Sequence, residues 1–154
     1  MVPIIQANGG VIDKFMGDGI MATFGAVRDT DTYAADAMRT MEAIMYDFRD
    51  WSKDARLAEI ARCGIGLSVS AGPIVFGAVG DSERMEVTVI GATVNIGAKL
   101  EKANKFFQSM AVATRRAFDM AVGQGYQPKR VPEFIAADVE GLAPQSQLAI
   151  WRSI

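Results

Sequence analysis

Two runs of β-forming residues meet at Gly17-Asp18-Gly19, and that junction constrains the fold more than any other feature of the chain. Val11-Ile12-Asp13-Lys14-Phe15 is rich in branched and aromatic residues, and Ile20-Met21-Ala22-Thr23-Phe24 resumes the pattern after the glycines. Gly-Asp-Gly is turn chemistry, so the two runs read as a β-hairpin with Ile20, Ala22 and Phe24 alternating onto one face.

The rest of the chain adds elements around that hairpin. Asp29-Thr30-Asp31 offers cap-type residues ahead of a helix from Thr32 to Trp51. Ala34, Ala37, Met38, Met41, Met45 and Phe48 recur at spacings of three and four, which makes one apolar stripe. The methionines on it read as adaptable core. Gly64 to Ser70 reads as a strand, Ala71-Gly72-Pro73 breaks it, and Ile74 to Val79 resumes. Gly80 to Arg84 is a polar tip, Met85 to Ile90 the returning strand, and Gly91 ends it. Thr93 can cap a helix to about Asn104. Met110 to Ala113 reads as a strand and Thr114 as the cap of a short helix through Val122. Two late strands, near 131–139 and 148–153, close the chain. Strands and helices that do not strictly alternate predict an α+β fold, a mainly antiparallel sheet with helices on one face. With no linker, repeat or low-complexity tract, residues 1–154 read as one domain.

Composition narrows the chemistry. The chain is 50% hydrophobic and 22% charged with a net charge of −2, a globular balance without bulk affinity for nucleic acid or an anionic membrane. It has no histidine, which excludes Ser–His catalysis, histidine zinc sites and histidine bases. The single cysteine, Cys63, excludes an internal disulfide and is expected to be a buried, inert thiol. No apolar run is long enough to cross a bilayer and the start lacks the charged region of a signal peptide, so the chain reads as cytoplasmic. Chemistry must rest on carboxylates, lysines, amides and bound metal.

Five residues are candidates, each with an ordinary structural reading beside it. Asp18 is a carboxylate between two glycines, able to serve as one ligand of a hard cation or simply to make a turn. Lys14 could reach solvent from a strand edge or donate to a bound base. Thr88 is a strand residue by propensity alone, and Asn95 is unremarkable near a helix start. Lys99 lies four residues beyond Asn95 on the same helical face, an amide and an ammonium that together suit an anionic, ribose-bearing ligand. Gly64-x-Gly66 lacks the third glycine of a dinucleotide fingerprint, and no Walker-type loop exists.

Taken together, these segments resemble a known family. Gly9-Gly10-Val11-Ile12-Asp13-Lys14-Phe15-Met16-Gly17-Asp18-Gly19-Ile20-Met21-Ala22 is similar to the strand–turn–strand of class III nucleotidyl cyclase catalytic domains. Gly64 to Gly72 resembles their next strand, and Arg84 to Glu101 their dimer-site strand and helix. The resemblance runs in order from about Gly9 to Asn104 and is weaker beyond. It implies a ferredoxin-like α+β domain that works as a head-to-tail homodimer with its sites at the interface. It implies an adenylate cyclase converting ATP to cyclic AMP and pyrophosphate with two Mg²⁺ or Mn²⁺ ions. By resemblance, Asp18 is the second metal aspartate, Lys14 reads adenine, and Thr88 is its partner. Asn95 orients the ribose and Lys99 stands where the family has a triphosphate arginine. The alternative is a catalytically inactive cyclase-like module for nucleotide binding or dimerisation.

The likeness has gaps. The family's first metal aspartate lies in a Phe-x-Asp-Ile-x-Gly-Phe-like segment upstream of the hairpin, and these 154 residues contain none. The resemblance therefore implies a domain without its first strand, inactive by itself. Lys99 keeps the charge of the expected arginine and loses its bidentate fork.

Overall fold

In the computed structural model, which describes residues 1–51, 53, 54, 56, 57, 59 and 62–152, the hairpin forms as expected. Strand β1 (Val11–Met16) pairs antiparallel with β2 (Gly19–Thr23) around a two-residue loop, closing on Met16 opposite Gly19. Gly17 takes a φ of +64°, the left-handed conformation that a tight hairpin loop needs at its first position. The register slips between Ile12 and Lys14, which makes Asp13 an extra residue in β1 and the centre of a β-bulge. A short helix, α1 (Val2–Ala7), precedes the hairpin and was not expected from the sequence. It has only six residues and opens on a proline, too short for a helical period to show. Ile5 from α1 and Phe24 fill the space where a side chain on Gly10 would sit, at 2.6 and 2.7 Å.

Helix α2 (Tyr33–Trp51) follows the predicted stripe, burying Ala34, Met38, Met41, Met45 and Phe48. Its start is capped differently from the expectation at Asp29-Thr30-Asp31. The Ala34 and Ala35 amides donate to Gln124 Oε1 at 2.8 and 3.0 Å, a cap from 90 positions away for Ala34. Cys63, expected inside, is exposed along with its neighbours Arg62 and Gly64.

A four-stranded sheet runs in the order β3 (Leu67–Val69), β6 (Ser109–Thr114), β8 (Ser146–Arg152), β7 (Glu133–Ala137). The β3–β6 pair is parallel and the other two are antiparallel. Helices cover both faces rather than the one face predicted. Ala111, Ala113, Ala149 and Trp151 pack with α2 and with Ala121 of helix α4 (Arg115–Gly123). Val112, Leu148 and Ile150 point the other way and pack with Leu100 of helix α3 (Ala92–Phe107). The apolar run Met110-Ala111-Val112-Ala113 is the signature of a strand buried on both sides. Asn104, 4% exposed, locks α3 onto this sheet. Its amide donates to Leu67 O at 2.9 Å and Glu101 O at 3.0 Å, and its oxygen accepts from Ser109 Oγ at 2.9 Å. Thr114 caps α4 as predicted, accepting from the Ala117 amide at 3.1 Å.

Strands β4 (Val75–Gly80) and β5 (Met85–Ile90) form a separate antiparallel ribbon. Val75, Phe76, Val79, Met85, Val87 and Ile90 are all exposed along it. Gly91, not Thr93, is the N-cap residue where β5 turns into α3, with a φ of 148°. Thr93 instead donates its hydroxyl to Pro73 O at 2.9 Å.

Candidate functional site

The bulge in β1 decides which side chains meet. Successive residues of a regular strand point to opposite faces, so Asp13 and Lys14 would not reach the same neighbour. The extra residue at Asp13 breaks that alternation, and both side chains engage β5. Asp13 Oδ2 accepts the Thr88 hydroxyl at 2.8 Å and Oδ1 accepts the Val89 amide at 3.1 Å. The Asp13 side chain is 3% exposed. Lys14 Nζ donates to Glu86 Oε1 at 2.6 Å and lies 3.7 Å from Asp13 Oδ2. On β5, Glu86 and Thr88 are two apart and share a face.

The charges act on one another. The Glu86 hydrogen bond and carboxylate raise the Lys14 ammonium above its ordinary value, with a smaller contribution from Asp13. The Lys14 hydrogen bond and charge in turn hold Glu86 below the usual carboxylate range.

Lys14 and Thr88, singled out from the sequence, are thus brought together, with Asp13 between them. Asp13 and Glu86 were missed. Glu86 gave no signal, since an acidic residue on an exposed ribbon is ordinary. Asp13 could have been flagged only by knowing the bulge, which depends on pairing with β2.

The other three candidates stand apart from this cluster. Asp18 is exposed at the hairpin tip, flanked by Gly17, whose Cβ position has nothing within 4 Å. Asn95 is exposed on the first turns of α3. Lys99 follows one turn later, and its ammonium is paired with Glu140 at 3.0 Å. Among the described residues no group of three or more Asp, Glu, Cys or His side chains is arranged to hold a metal ion. One cleft of about 230 Å³ lies beside Thr93 and Arg116, and another of about 400 Å³ lies beside Arg39 and Tyr126. Neither is lined by any of the five candidates: Thr88 is buried against Asp13, Lys14 and Lys99 are half-buried, and Asp18 and Asn95 are exposed. No helix among the described residues is long and apolar enough to cross a membrane.

Comparison with known proteins supplies context. No family model matches the chain. An adenylate cyclase of Anabaena cylindrica is 35% identical over 102 residues, which is 66% of this chain and 20% of that protein. The terminal-differentiation-specific adenylate cyclase of Dictyostelium discoideum is 32% identical over 114 residues, 74% of this chain and 5% of that protein. An uncharacterized protein of Mycobacterium tuberculosis is 34% identical over 114 residues, and the chain spans 19% of its length. Among solved structures, a bacterial light-regulated adenylyl cyclase superposes with a TM-score of 0.74 at 24% identity, covering 97% of this chain and 41% of that one. The guanylyl cyclase Cya2 gives 0.72 at 21% identity, covering 99% and 75%. The adenylyl cyclase CyaB from P. aeruginosa gives 0.70 at 22% identity, covering 99% and 77%. These superpositions speak to the fold, and both adenylyl and guanylyl cyclases share it.

Proposed function

The chain belongs to the class III nucleotidyl cyclase catalytic domains, and from that premise we propose that it serves as an adenylate cyclase domain, turning ATP into cyclic AMP and pyrophosphate. One observation carries the choice of adenine. Lys14 and Thr88 come from distant strands and are drawn to one place, a donor and a hydroxyl side by side. A purine edge with a ring nitrogen and an exocyclic amino group suits such a pair.

The remaining roles follow from chemistry and position. Asn95 extends an amide able to hold ribose hydroxyls, and Lys99, once released from Glu140, would lie on the triphosphate. With the nucleotide so held, the 3′-hydroxyl oxygen attacks the α-phosphorus and its proton passes to solvent water. The α–β phosphoanhydride bond breaks and pyrophosphate departs with its electrons. Positioning supplies most of the acceleration in such a transfer. Asp18 presents a hard oxygen on a tip that phosphate can approach closely, which fits one ligand position of Mg²⁺ or Mn²⁺. The ion needs further oxygens from phosphate and from other carboxylates, and when bound it would neutralise the charge on the leaving pyrophosphate.

The exposed apolar ribbon of β4 and β5 supports a second part of the reading, a head-to-tail homodimer in which this surface is covered by another copy. The exposure of Asp18 and Asn95 agrees, since a half-site needs a partner to close it. A cytoplasmic location, where ATP is found, goes with this activity. A second reading, a catalytically inactive module for nucleotide binding or dimerisation, is favoured by Lys99, which is already paired and lacks the arginine fork.

Equilibrium binding of ATP and GTP to the purified protein tests the reading. ATP should bind more tightly than GTP, and Lys14→Ala should remove the difference. Equal or tighter binding of GTP by the unaltered protein would take adenine out of the proposal. Cyclic AMP formed from ATP with Mg²⁺ or Mn²⁺, followed by chromatography, separates the enzyme from the inactive module.

A further inference from the structure

Asp13 is more constrained than either residue of the base-reading pair beside it. Its carboxylate is almost fully buried, and both oxygens are committed, one to the Thr88 hydroxyl and one to the Val89 amide. A carboxylate can only accept, so the Thr88 hydrogen points at Asp13. What Thr88 Oγ1 has left to offer a ligand is a lone pair. The Lys14 ammonium, by contrast, can only donate, and Glu86 steadies it on the same side of β5. The two groups therefore differ in polarity, and it is Asp13 that makes them differ.

We propose that Asp13 is a specificity-setting positioning residue, which fixes Thr88 as a hydrogen-bond acceptor so that Lys14 and Thr88 face a purine as donor and acceptor in a set order. This rests on the adenylate reading above. Adenine presents an acceptor at N1 and a donor at its 6-amino group, which complements that order. A 6-oxopurine presents the reverse at the same two positions, and both groups would meet their like. Without Asp13, the Thr88 hydroxyl could rotate to donate, and the discrimination at position 6 would vanish. The bulge is what brings this carboxylate onto β5 beside Lys14.

The variant Asp13→Asn makes a sharp test, because its amide has one acceptor and one donor. The Val89 N–H can only donate, so the amide oxygen goes there. The NH₂ then faces Thr88, which must accept from it and turn its own hydrogen toward the ligand. The test measures binding of ATP and of inosine triphosphate, its 6-oxo counterpart, by displacement of a fluorescent nucleotide. Both ligands share the ribose and triphosphate, so a loss of stability alone moves them together and leaves their ratio unchanged. The ATP preference should fall about tenfold or more in Asp13→Asn, with inosine triphosphate gaining, and should persist in Thr88→Ser. A folded Asp13→Asn protein with an unchanged ratio overturns the proposal. If that variant does not fold, Thr88→Val decides. Weaker ATP binding with inosine triphosphate unchanged supports the role, and equal loss of both, or of neither, refutes it. Lys14→Ala separates the two levels. If it abolishes the preference while Asp13→Asn does not, Asp13 alone is wrong. If the unaltered protein shows no preference, the adenylate reading fails and this proposal with it.

Discussion

Asn104→Ala should be among the most destabilising single changes that touch no proposed ligand. Asn104 is 4% exposed and makes three good hydrogen bonds, to Leu67 O, Glu101 O and from Ser109 Oγ. A fourth contact, to Leu100 O at 3.5 Å, is marginal. At about 0.5–1.5 kcal/mol net for each of three bonds, alanine loses about 3 kcal/mol. Helix propensity returns about half a kcal/mol, since alanine is the better helix former. The net loss is about 2–3 kcal/mol, which at roughly 2–4 °C per kcal/mol for a chain of this size lowers the melting point by about 5–10 °C. Urea unfolding monitored by circular dichroism reads this as a lower midpoint at constant slope. Asn104→Asp sharpens the test. It keeps the acceptor for Ser109 and sets a carboxylate against the carbonyls of Leu67 and Glu101, so it should cost at least as much at neutral pH. Acid should partly restore it as the carboxyl gains a proton to donate. An alanine variant within about 0.5 kcal/mol of the parent, or an aspartate variant as stable as the parent, would show that this residue does not fasten α3 to the sheet.

Three further outcomes can be measured. Tyr126 is 2% exposed, and its hydroxyl lies near Glu42 without a hydrogen bond of ordinary geometry, so burial pushes its pKa well above the usual phenol range. Tyr126→Phe should leave stability unchanged or raise it by about 1 kcal/mol in urea, and a loss of that size would mean that the hydroxyl is bonded. Gly91→Ala puts a side chain at a φ of 148° and 3.3 Å from Pro73 O, so it should cost about 1–3 kcal/mol and weaken nucleotide binding through α3; a variant of parental stability would refute the strain. The Lys14–Glu86 pair has a defined pH window. Glu86 is depressed below its ordinary 4.5, so its contribution is full above that value and is lost as pH falls through the lower folded value. Lys14 is raised above its ordinary 10.5, so its contribution is full below that value and is lost as pH rises through the higher one. NMR titration of the Lys14 ε-methylene should therefore show a midpoint above 10.5, and one at or below it would mean the pair does not form in solution.

What could be read from the sequence was mostly local. The α2 stripe, the Gly17 hairpin, the Thr114 cap and the Met85–Ile90 strand all follow from spacing and turn chemistry within a dozen residues. The parts that escaped depend on partners far along the chain. Gln124 caps α2 across the fold, and no local pattern announces that. The coverage of β6 on both faces is implicit in its unbroken apolar run, although so short a run by itself predicts no more than a strand. Within the site, residue types marked Lys14 and Thr88 as possibilities, but only the bulge shows how they meet, and it brings Asp13 and Glu86 with them.

The β4–β5 ribbon carries one more consequence. A two-stranded ribbon is marginal by itself in water, and this one has a single buried stretch, at Thr88 and Val89, to hold it down. Its outer amides should therefore open far more often than those of β6 or β8 and exchange their hydrogens quickly in a lone copy. If a second copy covers the ribbon, slow exchange there becomes a function of protein concentration, because association and local folding are then one equilibrium. Assembly of the nucleotide site would then be regulated by how often two copies meet, with no separate switch required.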